Sequence, residues 1–502
     1  MGQMTGSERR GMLIDLDSRA RRELMAAFAL PLLLRLVLSG LVDFCLDDAY
    51  ITFRVARNIA RGLGMVYNPG EQVLAITTPL YALLMVPGEL LGIGGPLFSR
   101  ILNSFCAAGS CALVYLLLRG RVSRTVLWAA VAWLAVNPMS IFITLTGMET
   151  AVLSFLLLLS AWLLQKRLFT ALGAALGLCC LTRPEGCIAA GLFWAYLLAF
   201  RREGLLRTTI PILVLAGGWA VYSTVVFGSP VPNSYTAKKA FFTVHHFTRM
   251  KHLHNYRLFF MPALPLAFAA PLLLVLGGWR QLRRRTAMLP LAVWLAAIVI
   301  LQLLSRFPIT LWYMHMLVPP ALLLMAEGAE GARLMLGGRP AEDSKPRRSA
   351  AAITAAVLAA YLAVFTPRAA YVCEDLRSLD MHMGSIGRWF VENDIPRDRT
   401  VGLEAIGRVG YESDLHILDR MGLASPQVIP CIRARRDSDP SIMNTFRPDY
   451  FVCGSVLSGE EVPGYRPVAE FGFPELERAR RTGAETAPRT YIYSRVEQPR
   501  AD

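Results

Sequence analysis

The sequence predicts an α-helical polytopic membrane protein of about 11 transmembrane helices with outer interfacial helices, followed by a small α/β domain at its C-terminal end. Three observations carry this. The 502 residues are 54% hydrophobic and only 18% charged, with a mean hydropathy of +0.42, whereas soluble chains carry about 25% charged residues. Too little polar surface remains to wrap the roughly three soluble domains that this length would otherwise suggest. Apolar runs of spanning length recur through residues 1–366, and compact Lys/Arg clusters fall in every second loop between them. The net charge of +15 is therefore spread as orientation signals, with no basic face for nucleic acid.

A bilayer crossing needs about 20 apolar residues. The first run, 24–44, follows Arg9, Arg10, Arg19, Arg21 and Arg22, which sets the N-terminus on the cytoplasmic side. It is too long for the apolar region of a signal peptide and no small-x-small site follows it, so it reads as an anchor helix. Segment 77–92 is apolar but short, and Pro79, Pro87 and Gly88 break it. Counting it as a span would invert every later loop, so it reads as a helix at the outer interface, although a re-entrant hairpin has the same parity. Spans follow at 96–118, 125–146, 149–165, 168–182, 187–200, 208–227, 258–279, 286–305, 311–326 and 350–366. The clusters at 119–124, 166–167, 201–207, 280–285 and 333–348 then all face the cytoplasm, and the chain emerges outside.

Residues 367–502 form the second domain. Charges of both signs, turn signals and short β-like runs at Thr400–Leu403, His416–Asp419, Tyr450–Cys453 and 490–494 accompany an amphipathic helical stretch at 375–390. Six of the nine cysteines lie in or beside the membrane part as small apolar residues. Cys431 and Cys453, in the outer domain, are candidates for a disulfide in an oxidising compartment.

The outer loops differ in kind from the cytoplasmic ones. The first begins Asp47-Asp48-Ala49-Tyr50-Ile51-Thr52-Phe53-Arg54; later corners carry Gly147-Met148-Glu149, Thr182-Arg183-Pro184-Glu185 and Pro232-Asn233-Ser234-Tyr235-Thr236-Ala237-Lys238-Lys239; the last has Arg306, with His315 just inside the next helix. Carboxylates, cations, Asn and Tyr thus gather on one side, as an enzyme site at the membrane surface requires. A carboxylate at this depth can take a proton from an attacking hydroxyl. Two adjacent carboxylates also suit a divalent cation, and an Asp pair can simply mark the end of an apolar helix. Arg183, Lys238, Lys239 and Arg306 are of the right type and side to take up the charge of a lipid phosphate, or to snorkel to the interface. His315 is a proton donor or an interface residue, and Glu149 and Glu185 read as caps or partners of Arg183.

The string DDAYITFRVARNIARGLGMVYNPGE, followed in order by TTPLY, GMET, LTRPEG and PNSYTAK, resembles the GT-C superfamily of integral-membrane glycosyltransferases. The likeness is greatest to the branch containing terminal arabinofuranosyltransferases. The resemblance covers roughly residues 24–330; the outer domain is similar only through GRVGYESD-x-HILDRMGL and RPDYFV. It implies a bundle of membrane helices with its site on the periplasmic face of a bacterial inner (cytoplasmic) membrane, a polyprenyl-phosphate-linked sugar as donor, and the first-loop carboxylate as base. That carboxylate is Asp47 or Asp48; relatives with an Asp-Glu pair in this slot favour Asp47. Asn233, Tyr235 and Lys238 would help to bind the donor phosphate. The match is loose around Arg306 and His315, where relatives often carry a Gly-Arg-aromatic string.

The expectation is therefore a periplasm-facing enzyme that moves a sugar to a hydroxyl of a cell-envelope glycan, lipid or protein, with inversion. The donor-phosphate residues are Arg183, Asn233, Tyr235, Lys238, Lys239 and Arg306, with Arg54, Glu149, Glu185 and His315 accessory. No cofactor is required by this reading, a divalent cation being an open addition. Its rivals are a lipid-linked-sugar transporter and a membrane scaffold carrying a binding domain. A transporter would place polar groups at the bilayer midplane on broken, repeat-related helices, and neither feature is evident.

Overall fold

The structure, a computed structural model, describes residues 16–245, 264–305, 310–337, 348–454, 456–457, 461–472 and 489–496. It is mostly helical, with a small sheet domain near the C-terminal end. Among the described residues, three helices are long and apolar enough to cross a membrane: Gly95–Leu118, Arg202–Phe227 and Ala355–Glu392. The pair Arg124–Val136 and Pro138–Leu145, bent by 46°, makes a fourth if it is one span. Thr150–Gln165, Phe169–Thr182, Pro184–Phe200 and Leu289–Leu304 are apolar but shorter. Pro79–Leu90 has 12 residues, about 18 Å at the α-helical rise, too short to cross.

The bend has a chemical cause. Pro138 has no N–H to give the carbonyl four residues back. Arg35, buried within the helix Ser18–Ser39, donates instead to Leu134 O at 3.2 Å and Ala135 O at 3.0 Å. Asn137 then restarts the chain as a helix cap, accepting from Ser140 N at 2.7 Å. The single span expected over 125–146 is thus two helices.

One end of the bundle collects the basic loops. Arg121 and Arg280 share Glu327, at 2.7 and 3.3 Å, and Arg124 reaches Glu23 at 2.5 Å. The polar loops from the beginning of the chain meet at the opposite end, as the 24 residues of Gly95–Leu118 require.

The helix Arg348–Glu392 runs without a break through residue 366, the position taken from composition as a domain boundary. It leads into a five-stranded sheet: β1 Thr400–Leu403, β2 His416–Asp419, β3 Tyr450–Cys453, β4 Tyr465–Gly472 and β5 Arg489–Arg495, in the order β2-β1-β3-β5-β4. β1 pairs parallel with β2 and β3, whereas β5 pairs antiparallel with β3 and β4. β4 was not foreseen: it is an edge strand holding Pro467 and a register shift between Pro467 and Ala469, and an edge tolerates a proline that breaks the apolar alternation. One hydrophobic cluster joins Ile386, Phe390, Val401, Ile417 and Ile492 to Ile51, Val55 and Tyr67 of the first loop. Another joins Leu418, Leu423, Phe451 and Tyr493 to Ala237 and Ala240. The sheet domain is thereby packed onto the polar end of the bundle. No disulfide joins Cys431 to Cys453; each packs as a small apolar group against the second of these clusters.

Candidate active site

The helix Asp47–Ala60 begins with two carboxylates in its first turn, where the helix dipole favours negative charge. Its start is fixed by Leu46 N donating to Thr146 O at 3.0 Å and by Arg100 donating to Phe44 O at 3.1 Å. Successive helical residues point about 100° apart, so the two aspartates face different surroundings.

Asp47 faces the sheet domain. It accepts from Gly407 N at 3.0 Å and Arg408 N at 2.8 Å, the first turn of the helix Ile406–Ser413. The approach is close enough that a Cβ on Gly407 would lie 1.8 Å from Asp47 O, so only glycine fits. Burial pushes the Asp47 carboxyl up to about 6, against the pull of these two amides.

Asp48 lines a cavity of about 60 Å³ with Thr52, Thr78, Glu149, Arg183, Lys238 and Tyr313 among its walls. Its carboxylate has no hydrogen-bond or ion-pair partner among the described residues. The segments come from across the chain, and local contacts aim each one. Gly147, at φ +90°, makes the turn before Glu149. Tyr81 Oη donates to Gly147 O at 2.9 Å, and Asn103 Nδ2 to Met148 O at 2.9 Å.

Arg183 precedes Pro184, which opens the helix Pro184–Phe200. Its guanidinium donates to Glu149 and, at 3.1 and 3.0 Å, to both oxygens of Glu185, while lying 4.5 Å from the Tyr313 ring centroid. The trio carries a net negative charge, so Arg183 is largely spent on its carboxylates. Lys238, on the helix Asn233–Val244, has no hydrogen-bond or ion-pair partner among the described residues and opens on the same cavity. Tyr313, then Asp48 and Glu149, raise its ammonium above the ordinary value against burial.

The other expected site residues lie elsewhere. Asn233 Nδ2 is taken up by Gly422 O at 2.8 Å and Leu423 O at 2.7 Å. Tyr235 and Lys239 are exposed. Arg54 is fully buried as a clamp, donating to Tyr67 O, Gly410 O and Leu415 O at 2.9, 2.9 and 2.6 Å. His315 is buried in the bundle, with Nε2 3.1 Å from Ser140 Oγ, and is not in the cavity wall. Arg306 lies outside the described residues. Conversely, the cavity includes Thr52, Thr78, Tyr313 and Leu423, which sequence reasoning did not assign. Thr78 belongs to the TTPLY motif and Tyr313 to an aromatic pair with Trp312, so a signal existed for both; Leu423 carried none. Among the described residues no three His, Cys, Asp or Glu side chains are grouped to hold a metal, and Glu149 and Glu185 are engaged by Arg183. Among the described residues the donor set at this cavity does not fit a divalent cation.

Residues 374–493 match a family described as a domain of unknown function (DUF8728). A terminal beta-(1->2)-arabinofuranosyltransferase of Mycobacterium tuberculosis is 27% identical over 223 residues, 39% of this chain and 35% of the relative. The match thus spans about a third of that protein's length. Among solved structures, ArnT from Cupriavidus metallidurans in the apo state gives a TM-score of 0.57 at 14% identity, covering 96% of this chain and 100% of that one. The same protein bound to undecaprenyl phosphate gives 0.54 at 14% identity, over 94% and 99%. The Archaeoglobus fulgidus oligosaccharyltransferase, in complex with Zn and sulfate, gives 0.54 at 14% identity, over 86% and 67%. The apolar helices suit a membrane location, and the chain shares its overall fold with ArnT and the oligosaccharyltransferase, in keeping with the resemblance that its motifs carry.

Proposed function

We propose that the protein is a glycosyltransferase that moves a sugar from a polyprenyl-phosphate donor to an acceptor hydroxyl on a cell-envelope glycan, lipid or protein. The observation that carries this is the meeting, in one cavity, of a carboxylate, Asp48, and a cation, Lys238, neither of which has a hydrogen-bond or ion-pair partner among the described residues. A base and a phosphate-binding cation are the two groups the reaction needs. Asp48 takes the proton of the acceptor hydroxyl as its oxygen attacks the anomeric carbon. The bond to the lipid phosphate breaks in the same displacement, with inversion, and Lys238 takes up the charge on the departing phosphate. Lys239 and Tyr235, exposed on the same helix, line the approach from the lipid side. The Arg183, Glu149 and Glu185 group acts as a rigid wall.

The match to an arabinofuranosyltransferase and the fold shared with an undecaprenyl-phosphate-binding protein support the donor class. The reading includes about 11 spans, a membrane module over 1–366 and a periplasmic domain over 367–502, with the N-terminus cytoplasmic. The gathering of basic groups at one end and the cavity at the other supports that orientation.

Asp48→Asn is expected to lower transfer from defined polyprenyl-phosphate sugars in detergent by ~10²–10⁴-fold at unchanged expression. Asp47→Asn keeps the base and retains measurable transfer. Equal loss in both variants, or wild-type activity in Asp48→Asn, would remove Asp48 from the role. A wild-type protein that transfers nothing without a sealed membrane would point to a transporter.

A further inference from the structure

We propose that the loop 420–424 of the sheet domain is the acceptor-side wall of the cavity, with Leu423 touching the acceptor and Asn233 as the positioning residue that holds it. The inference rests on the glycosyltransferase reading above.

Leu423 lines the cavity beside Asp48 and Lys238, and it is the sheet domain's contribution to that lining among the described residues. The loop that carries it is fixed from both sides. From within the domain, the fully buried Asp419 accepts from Met421 N and Ala424 N, each at 2.8 Å. Gly422 turns the chain at φ +80°, and a Cβ there would come within 3.0 Å of Ile429. From the membrane part, one Asn233 amide nitrogen donates to two successive loop carbonyls, Gly422 O and Leu423 O. Asn233 is itself anchored, its N–H donating to Leu74 O at 2.9 Å, and Asn233 begins the helix that carries Lys238. A buried carboxylate and a doubly used amide are an expensive way to hold a short loop, unless the position of the loop matters.

Direction of entry assigns the wall to the acceptor. A polyprenyl chain stays in the bilayer, so the donor arrives sideways between helices. A water-borne acceptor arrives from the end of the bundle on which the sheet domain is packed. The remaining lining mixes apolar Ile76, Met148 and Trp312 with the hydroxyl-bearing Thr77 and Ser234. That mixture suits a sugar ring, which shows an apolar face and a polar edge, and makes the acceptor a glycan.

The test uses full-length protein in lipid nanodiscs with Leu423→Ala, Leu423→Trp and Asn233→Ala, and Leu423→Met as the control for folding. The KM for glycan acceptor is expected to rise at least ~10-fold in the first three. The KM for donor, and affinity for undecaprenyl phosphate as the probe, should stay within about twofold of wild type, whereas Lys238→Ala weakens the probe. An unchanged acceptor KM, or probe binding that falls in Leu423→Ala as far as in Lys238→Ala, overturns the inference while leaving the transferase reading intact. Wild-type protein that binds the probe yet transfers no sugar to any acceptor overturns both.

Discussion

Two neighbouring aspartates with the same side chain have been given different work by the surfaces they face, and Asp47 shows how this registers as a pH dependence. Its carboxyl titrates near 6 in the fold against an ordinary 3.8. The folded state therefore holds the proton more tightly than the unfolded chain, so stability from Asp47 is fully present below about pH 4 and is lost as pH rises through about 6. Asp419, which burial pushes up to about 7, acts in the same sense over a window that reaches further up. The melting temperature of Asp47→Asn has no such loss through this position. The advantage of wild type over Asp47→Asn is thus expected to shrink from about pH 4 to about pH 6.5 and level off above pH 7, by thermal unfolding in detergent. A gap that widens with pH would mean that the ionised carboxylate, and not its protonated form, is favoured by the docked domain. The pair itself stood out in the sequence as the start of the first outer loop. Which member faces the cavity did not, because resolving a 100° rotation needs the partner surface, Gly407 and Arg408, 360 residues away.

At the scale of elements, the turn between the helices Phe169–Thr182 and Pro184–Phe200 shows a cation working as structure. Arg183 is buried between Glu149 and Glu185, with side-chain exposures of 5%, 4% and 19%. Removing the guanidinium leaves two carboxylates facing each other in a confined site, which typically costs about 3–5 kcal/mol. Arg183→Met is therefore expected to reduce the yield of folded protein on size exclusion, and Arg183→Lys to restore little of it, since an ammonium cannot meet both carboxylates in the same fork geometry. The double variant Arg183→Met with Glu149→Gln should recover yield relative to Arg183→Met alone. If it is worse than the sum of the single variants, the ion pair is not what the arginine supplies. Elements of this kind were well marked in sequence wherever a local signal existed. β1, β2 and β3 sit on the residues expected of them, since each is a short apolar run bounded by turns. β4 and the bend at Asn137 were not marked, because an edge strand and a proline within an apolar run both depend on what a distant neighbour supplies.

Across the whole molecule, the apolar runs announced a helical bundle, but the joining of the sheet domain to the first outer loop was not readable. The sheet domain looked separable by composition; in the structure it supplies partners that the first loop cannot do without. Arg54 gives two of its donors to Gly410 O and Leu415 O, Tyr67 Oη donates to Ile406 O at 2.6 Å, and Asn68 both donates to Ile417 O and accepts from Ile417 N, at 2.8 and 3.1 Å. All three residues are buried in the loop that carries Asp48. Cutting the chain after about residue 370 would leave the Tyr67 phenol without its acceptor and would strip the Arg54 guanidinium and the Asn68 amide of part of their partners, at about 1–3 kcal/mol for each neutral group and more for the charge. The truncated protein is therefore expected to lose transfer to every acceptor, water included, by at least ~100-fold. Limited proteolysis should then cut within 47–78, a stretch protected in the full chain. A removable acceptor-binding appendage would behave differently, keeping slow hydrolysis of the donor and an intact first loop. Should truncation leave donor hydrolysis and protease resistance at wild-type levels, the sheet domain is not part of the framework that aims Asp48.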